Sequence, residues 1–299
     1  LRNEDLSEET RKYYFIESNI QRNCCELSMA KLWTLLDDQS SHKKVVDLLI
    51  KFYRAEPLIF SNTISNSFAI NDVDQNHDAI KKFTQFWKLT SEHYPEIIFF
   101  DNGECIFKML DFLDNDHPLL RHLSKSWLSQ SVGQFNKILD PLLKVLLDKE
   151  TSWYISPKKQ LYLTKEYDNR RIIEAFRKLK NIIINMPDLA ISYFVNQPIQ
   201  QKLLDLDTTG KEISSYTRSI PIEHYLELMV SISLRFIQGK FIESVSHKFY
   251  RENFSVNAAS CEFLEFLLSF IEPKSKVMNI AEMIAEPVLM ILHENIMSN

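Results

Sequence analysis

RRIIEAFRKLKNII, residues 170–183, decides the fold. Its apolar side chains Ile172, Phe176, Leu179 and Ile183 recur at steps of three and four, which at 3.6 residues per turn stack into one stripe along a helix. The same spacing returns at Val45, Leu48, Leu49 and Phe52, and again at Phe263, Phe266, Leu267 and Phe270, each set predicting an inward helix face. Strict alternation, the pattern of a half-buried strand, is scarce along the chain.

Punctuation agrees with the period. Pro118, Pro187 and Pro221 each precede an apolar run, and Asp140-Pro141 reads as a side-chain cap followed by a first-turn proline. Only 4 glycines occur in 299 residues, too few for a protein built on tight hairpins or phosphate-cradling loops. The expected fold class is all-α, an α-solenoid of stacked antiparallel helix pairs (HEAT/armadillo-like) with about a dozen helices. Residues 61–78, rich in Asn, Ser and Asp, look looser, as do 149–169 and the polar stretch 205–219. The resulting division is a helical-repeat segment over 1–150, a linker or loop over 151–169, and a continuation of the repeat over 170–299. Trp127, Leu128, Leu139, Leu142, Leu143 and Leu146 are the expected core of one neighbouring helix pair.

Composition excludes several classes of function. A net charge of −5 supplies no global field toward nucleic acid, so no nucleic-acid partner is expected. No apolar run reaches the ~20 residues that span a bilayer, so no transmembrane segment is expected. A start at Leu1, without methionine or a signal-like stretch, suggests a piece of a longer protein. Cys24, Cys25, Cys105 and Cys261 lack C-x-x-C spacing and are expected as buried, reduced thiols.

Chemical motifs are equally sparse. His117 and His122 lie five apart, too far round the helix axis to share a metal, and the other histidines are scattered. The pair Asp37-Asp38 suits a helix cap. No G-x-S-x-G, G-x-x-x-x-G-K-[ST] or G-x-G-x-x-G occurs. No enzyme, cofactor, metal or catalytic residue is therefore expected. The helical spacing of Phe83, Phe86 and Trp87 places them in a core rather than on a base-stacking platform. One asymmetry remains: Lys158, Lys159, Lys165, Arg170, Arg171, Arg177, Lys178 and Lys180 face only Glu166, Asp168 and Glu174, eight positive against three negative side chains. Lys158, Lys159, Arg170, Arg171, Arg177, Lys178 and Lys180 are the candidate contacts to an acidic partner or a lipid headgroup phosphate. The alternative is a solvated outer helix face.

The segment LWTLLDDQSSHKKVV, residues 32–46, resembles the middle region of the Dopey family of very large cytosolic scaffold proteins. FTQFWKLT at 83–90, IFKMLDFLD at 106–114 and SWLSQSVGQFNKILDPLLKVLLDKET at 126–151 continue the resemblance. So do RRIIEAFRKLKNII, SIPIEHYLELMVSISLRF at 219–236 and a helix from Cys261 to Ile271, all in family order. Animal relatives carry a long polar insertion between the segments ending at Thr151 and starting at Arg170, where this chain has a short link. The resemblance implies a scaffold that is cytoplasmic and peripheral on Golgi and endosomal membranes. Its implied partners are a second large Arf-exchange-factor-related scaffold and a phospholipid flippase; an anionic phosphoinositide headgroup is the lipid expected at the basic cluster, not a partner the resemblance implies. It implies no catalytic residues. The alternative is a helical regulatory domain, or a scaffold of another giant repeat protein of the channel-associated or cell-morphogenesis type, which shares the same helix grammar.

Overall fold

The computed structural model describes residues 8–68, 72–94, 104–147, 153–155, 161–163, 169–199, 224–238, 240–241 and 247–269. Eleven α-helices account for nearly all of them, so the chain is all-α, built by stacking helices as repeat proteins do. It divides into two compact units, 1–131 and 132–299; the 151–169 stretch lies within the second.

The first unit holds α1 (Glu8–Thr34), α2 (His42–Ala55), α3 (Pro57–Ser67), α4 (Val73–His93), α5 (Glu104–Asp111) and α6 (Pro118–Gln130). Each helix packs on the next one or two in sequence: α1 on α2 and α3, α2 on α3 and α4, α3 on α4 and α5, α4 on α6. The shared core is aromatic. Trp127 meets Phe83 and Trp87 edge-on, at centroid distances of 5.9 and 5.6 Å, and Trp33 meets Phe86 at 5.6 Å. Phe83, Phe86 and Trp87 are buried, as the helical spacing predicts.

Three local expectations are corrected. Residues 61–78 are largely helical, covering the end of α3 and the start of α4. Buried Ile64 and Phe68 anchor one side, Ala79 and Ile80 the other, and Asp72 caps α4 by accepting the Gln75 N–H at 2.9 Å. On α2 the inward face is Val45, Val46, Leu49 and Ile50, whereas Leu48 is exposed, because α2 turns the adjacent arc toward its neighbours. Of the four thiols, none of them in a disulfide, Cys105 alone is fully buried, while Cys24 and Cys261 are exposed.

Asp38 does cap a turn, accepting from Ser40 N at 3.0 Å, while Asp37 pairs with Lys82 at 3.0 Å. Pro118 and Pro187 occupy first-turn positions of their helices, where the missing N–H costs nothing. Pro221 and the 205–219 stretch lie outside the described residues.

The second unit holds α7 (Phe135–Leu146), α8 (Asn169–Asn185), α9 (Pro187–Asn196), α10 (Tyr225–Gln238) and α11 (His247–Ser269). Helix α8 is its hub, packed against α7, α9 and α11, while α10 packs on α9 and α11. Ile172, Phe176, Leu179 and Ile183 all point inward. Phe176 meets Phe236 of α10 and Phe263 of α11 at 5.7 and 5.4 Å. The expected Leu139, Leu142, Leu143 and Leu146 are buried here, and Trp127 and Leu128 in the first unit. A small ribbon adds three short strands: β1 (Trp153–Ile155) antiparallel to β2 (Leu161–Leu163), and β2 parallel to β3 (Lys240–Phe241).

Pro141 overturns the reading of Asp140-Pro141 as a helix start, because it lies inside α7. An internal proline removes one backbone hydrogen bond and costs about 3 kcal/mol in an isolated helix. In α7 the buried residues around it, from Phe135 to Leu146, hold the helix through that break.

Candidate interaction surface

Helix α8 carries the basic cluster, and its packing divides that cluster. Exposed positions on α8 are Arg170, Arg171, Arg177 and Ile184; Arg170, Arg177 and Ile184 repeat seven apart and so form one stripe. Arg177 donates to Glu174 at 3.0 Å across one turn. Lys178 donates to the same carboxylate oxygen at 3.0 Å.

Lys178 was expected on the surface, and that expectation is corrected: the residue is only 2% exposed. Position 178 sits three residues after Ala175 and four before Ile182, both buried, on a helix covered by three neighbours. Burial of an ammonium requires a partner, and Glu174 supplies it. Burial pushes the Glu174 carboxyl up, but the Lys178 hydrogen bond and the charges of Lys178, Arg177 and Arg170 outweigh it and hold Glu174 below the usual carboxylate range.

Lys180 faces α11 rather than open solvent. It pairs with Glu262 and lies 5.3 Å from the centre of the Phe266 ring, an ion pair reinforced by a cation–π contact. Lys158 and Lys159 lie outside the described residues. The structure thus leaves Arg170, Arg171 and Arg177 exposed, with Arg170 and Arg177 on one stripe, and assigns Lys178 and Lys180 to ties within the second unit.

A buried polar cluster went unrecognised in the sequence. Asp140 of α7, 9% exposed, accepts a hydrogen bond from the Tyr225 hydroxyl of α10 at 2.9 Å. The ring of Tyr193 of α9 lies tilted at 45° to that of Tyr225, with centroids 5.6 Å apart. Burial pushes the Asp140 carboxyl up to about 6, against the lowering effect of the Tyr225 hydrogen bond. Burial, then the Asp140 charge, raises Tyr193; the same causes raise Tyr225 much further. The available signal was a lone charge inside the apolar run Ile138 to Leu143. The cluster ties three helices together. Among the described residues no group of three His, Cys, Asp or Glu side chains stands close enough to hold a metal ion. No described helix is long and apolar enough to cross a membrane.

Residues 15–136 match the family model described as DOP1B-like, TPR repeats. That span takes in most of α1 and all of α2 to α6. No curated protein and no solved structure matches the chain. The matched helices, packed on one another around one aromatic core, are similar to a Dopey-type helical-repeat region.

Proposed function

We propose that the chain is a non-enzymatic scaffold segment of a large peripheral trafficking protein acting at Golgi and endosomal membranes. The observation carrying this reading is the match of residues 15–136 to a Dopey-type repeat region. In that region the helices bury their apolar faces against one another, and stacked helices of this kind offer their outer faces to partners. On this reading the partners are a second large Arf-exchange-factor-related scaffold and a phospholipid flippase. Residues 151–169 link two runs of helical repeat, 1–150 and 170–299.

The outer stripe of α8 is the proposed contact to an anionic phosphoinositide headgroup. Arg170, Arg171 and Arg177 supply charge, and Ile184, 52% exposed, continues the stripe with apolar surface. Each basic residue near an anionic membrane contributes about 1 kcal/mol. Substituting all three arginines by alanine should therefore weaken binding by up to about a hundredfold, less whatever Glu174 already neutralises of Arg177. The test is flotation of the chain with phosphatidylcholine vesicles, with and without phosphoinositide. It is paired with immunoprecipitation and imaging of the full-length protein lacking residues 1–299. Unchanged flotation of the triple variant removes the lipid contact. Unchanged partners and localisation on deletion remove the scaffold role of this segment.

A further inference from the structure

Helix α2 turns Val45, Val46, Leu49 and Ile50 inward, and that orientation fixes what its outer arc carries. Four exposed cations stand there within about three turns: Lys43, Lys44, Lys51 and Arg54. Among the described residues no ion pair or hydrogen bond engages any of the four. Asp47 is the one acid on α2, and the hydroxyl of Tyr94, the residue that ends α4, donates to it.

This arc departs from its surroundings. The chain as a whole is acidic, at −5, and the outer stripe of the neighbouring α4 mixes signs through Asp74, Asp78, Lys81 and Lys88, the usual pattern of a solvated helix face. A second observation is apolar. Leu48, spaced as a core residue, is 47% exposed; it lies one turn after Lys44 and beside half-buried Phe52. The outer face of α2 is therefore a basic strip with an apolar margin.

We propose that this face docks an acidic amphipathic helix of a partner protein. The inference rests on the scaffold reading and specifies one contact within it. Lys44 and Lys51 are seven residues apart and share one stripe, so acidic side chains at the same interval on a second helix face both. An apolar residue beside those acids covers Leu48 and Phe52, as amphipathic helices do when they lie against a helical face. From Lys44 to Ala55 the arc is about 17 Å long, the length of about twelve helical residues. Exposed acids flank it, Asp38 before the helix and Glu56 after it. A flat anionic bilayer would bring its charge against both acids, whereas a helix laid along the arc meets the cations between them. A phosphate backbone offers nothing to the Leu48 margin.

The test pans a phage-displayed library of helical peptides on the full chain, with Glu fixed at two positions seven apart and Leu fixed between them. The affinity of an enriched peptide is measured by fluorescence anisotropy for the unaltered chain, for Lys44→Glu with Lys51→Glu, and for Leu48→Ser. Lys81→Glu with Lys88→Glu makes the same change of charge on α4 and is the control. The α2 reversal should weaken binding about tenfold at about 0.05 M salt and less at about 0.5 M, because exposed ion pairs are screened. Leu48→Ser should weaken it about fivefold at both, and the control should leave it within about twofold. Equal binding by all forms, an affinity indifferent to salt, or failure to enrich any peptide overturns the inference. So does tighter binding, lost on the same reversal, to phosphatidylserine vesicles or to an oligonucleotide than to the peptide. Should the α2 reversal melt early by circular dichroism, Lys44→Gln with Lys51→Gln and the salt series on the unaltered chain decide. Full-length protein that carries the α2 reversal yet keeps the partners lost on deletion of residues 1–299 overturns this site and leaves the scaffold reading standing; a deletion that loses no partner overturns both.

Discussion

Replacing Asp140 by asparagine isolates the cost of holding a charge inside the second unit. In the folded chain burial raises the Asp140 carboxyl to about 6 from an ordinary value of 3.8, with the Tyr225 hydrogen bond opposing the rise. The folded state therefore binds more protons than the unfolded state between those values, and stability falls as pH rises through that window. The contribution is fully present below about 3.8 and lost once pH passes about 6. The span from 3.8 to about 6 corresponds to about 3 kcal/mol.

The substituted carboxamide carries no titrating proton, and its carbonyl can still accept from Tyr225. Its NH₂ must find an acceptor or cost about 1–3 kcal/mol at every pH. The absolute stability of Asp140→Asn is consequently a poor readout, and the pH dependence of the difference is the clean one. The stability of the variant minus that of the unaltered chain should rise by about 2.4 kcal/mol from pH 4 to pH 7.5. Urea unfolding at intermediate pH values measures it, and carboxyl-detected NMR titration of Asp140 checks the cause. A difference that stays flat with pH, or an Asp140 titration at or below 3.8, refutes the reasoning. Either would mean that a counter-charge compensates the burial.

Glu174 should behave with the opposite sign: held below 4.5 by Lys178, Arg177 and Arg170 against its own burial, it stabilises the fold above that value. That stability is lost as pH falls through the depressed value, so Glu174→Gln should flatten the acid limb of the stability profile. Trp127→Ala removes a buried ring that touches Phe83 and Trp87 and should cost about 3–5 kcal/mol in thermal or urea unfolding; an unchanged melt would place Trp127 outside the core. Lys178→Glu puts an uncompensated negative charge at a buried position beside half-exposed Glu174 and should cost about 3–5 kcal/mol. By contrast, Arg177→Ala, at an exposed pair, should cost no more than about 1 kcal/mol in the same melts.

The sequence by itself determined the helices and much of their inward faces. Apolar spacing of three and four is a property of the chain, and a helix presents it as a stripe whatever lies opposite. Ile172, Phe176, Leu179 and Ile183, the trio Phe83, Phe86 and Trp87, and the openings at Pro118 and Pro187 were all legible on that ground. The width of the buried arc was not, because it depends on how many neighbours a helix acquires. Helix α8 acquires α7, α9 and α11, so the buried arc extends past the apolar stripe to Lys178 and recruits Lys180 toward Glu262. The basic cluster is one feature in sequence and two in space: an exposed arginine face and an internal set of ion pairs. Asp140-Pro141 makes the same point. Locally it reads as a cap and a first turn, yet burial from Phe135 to Leu146 draws it into the middle of a helix. Its carboxylate there meets Tyr225, 85 residues away along the chain, a partner that local spacing does not encode.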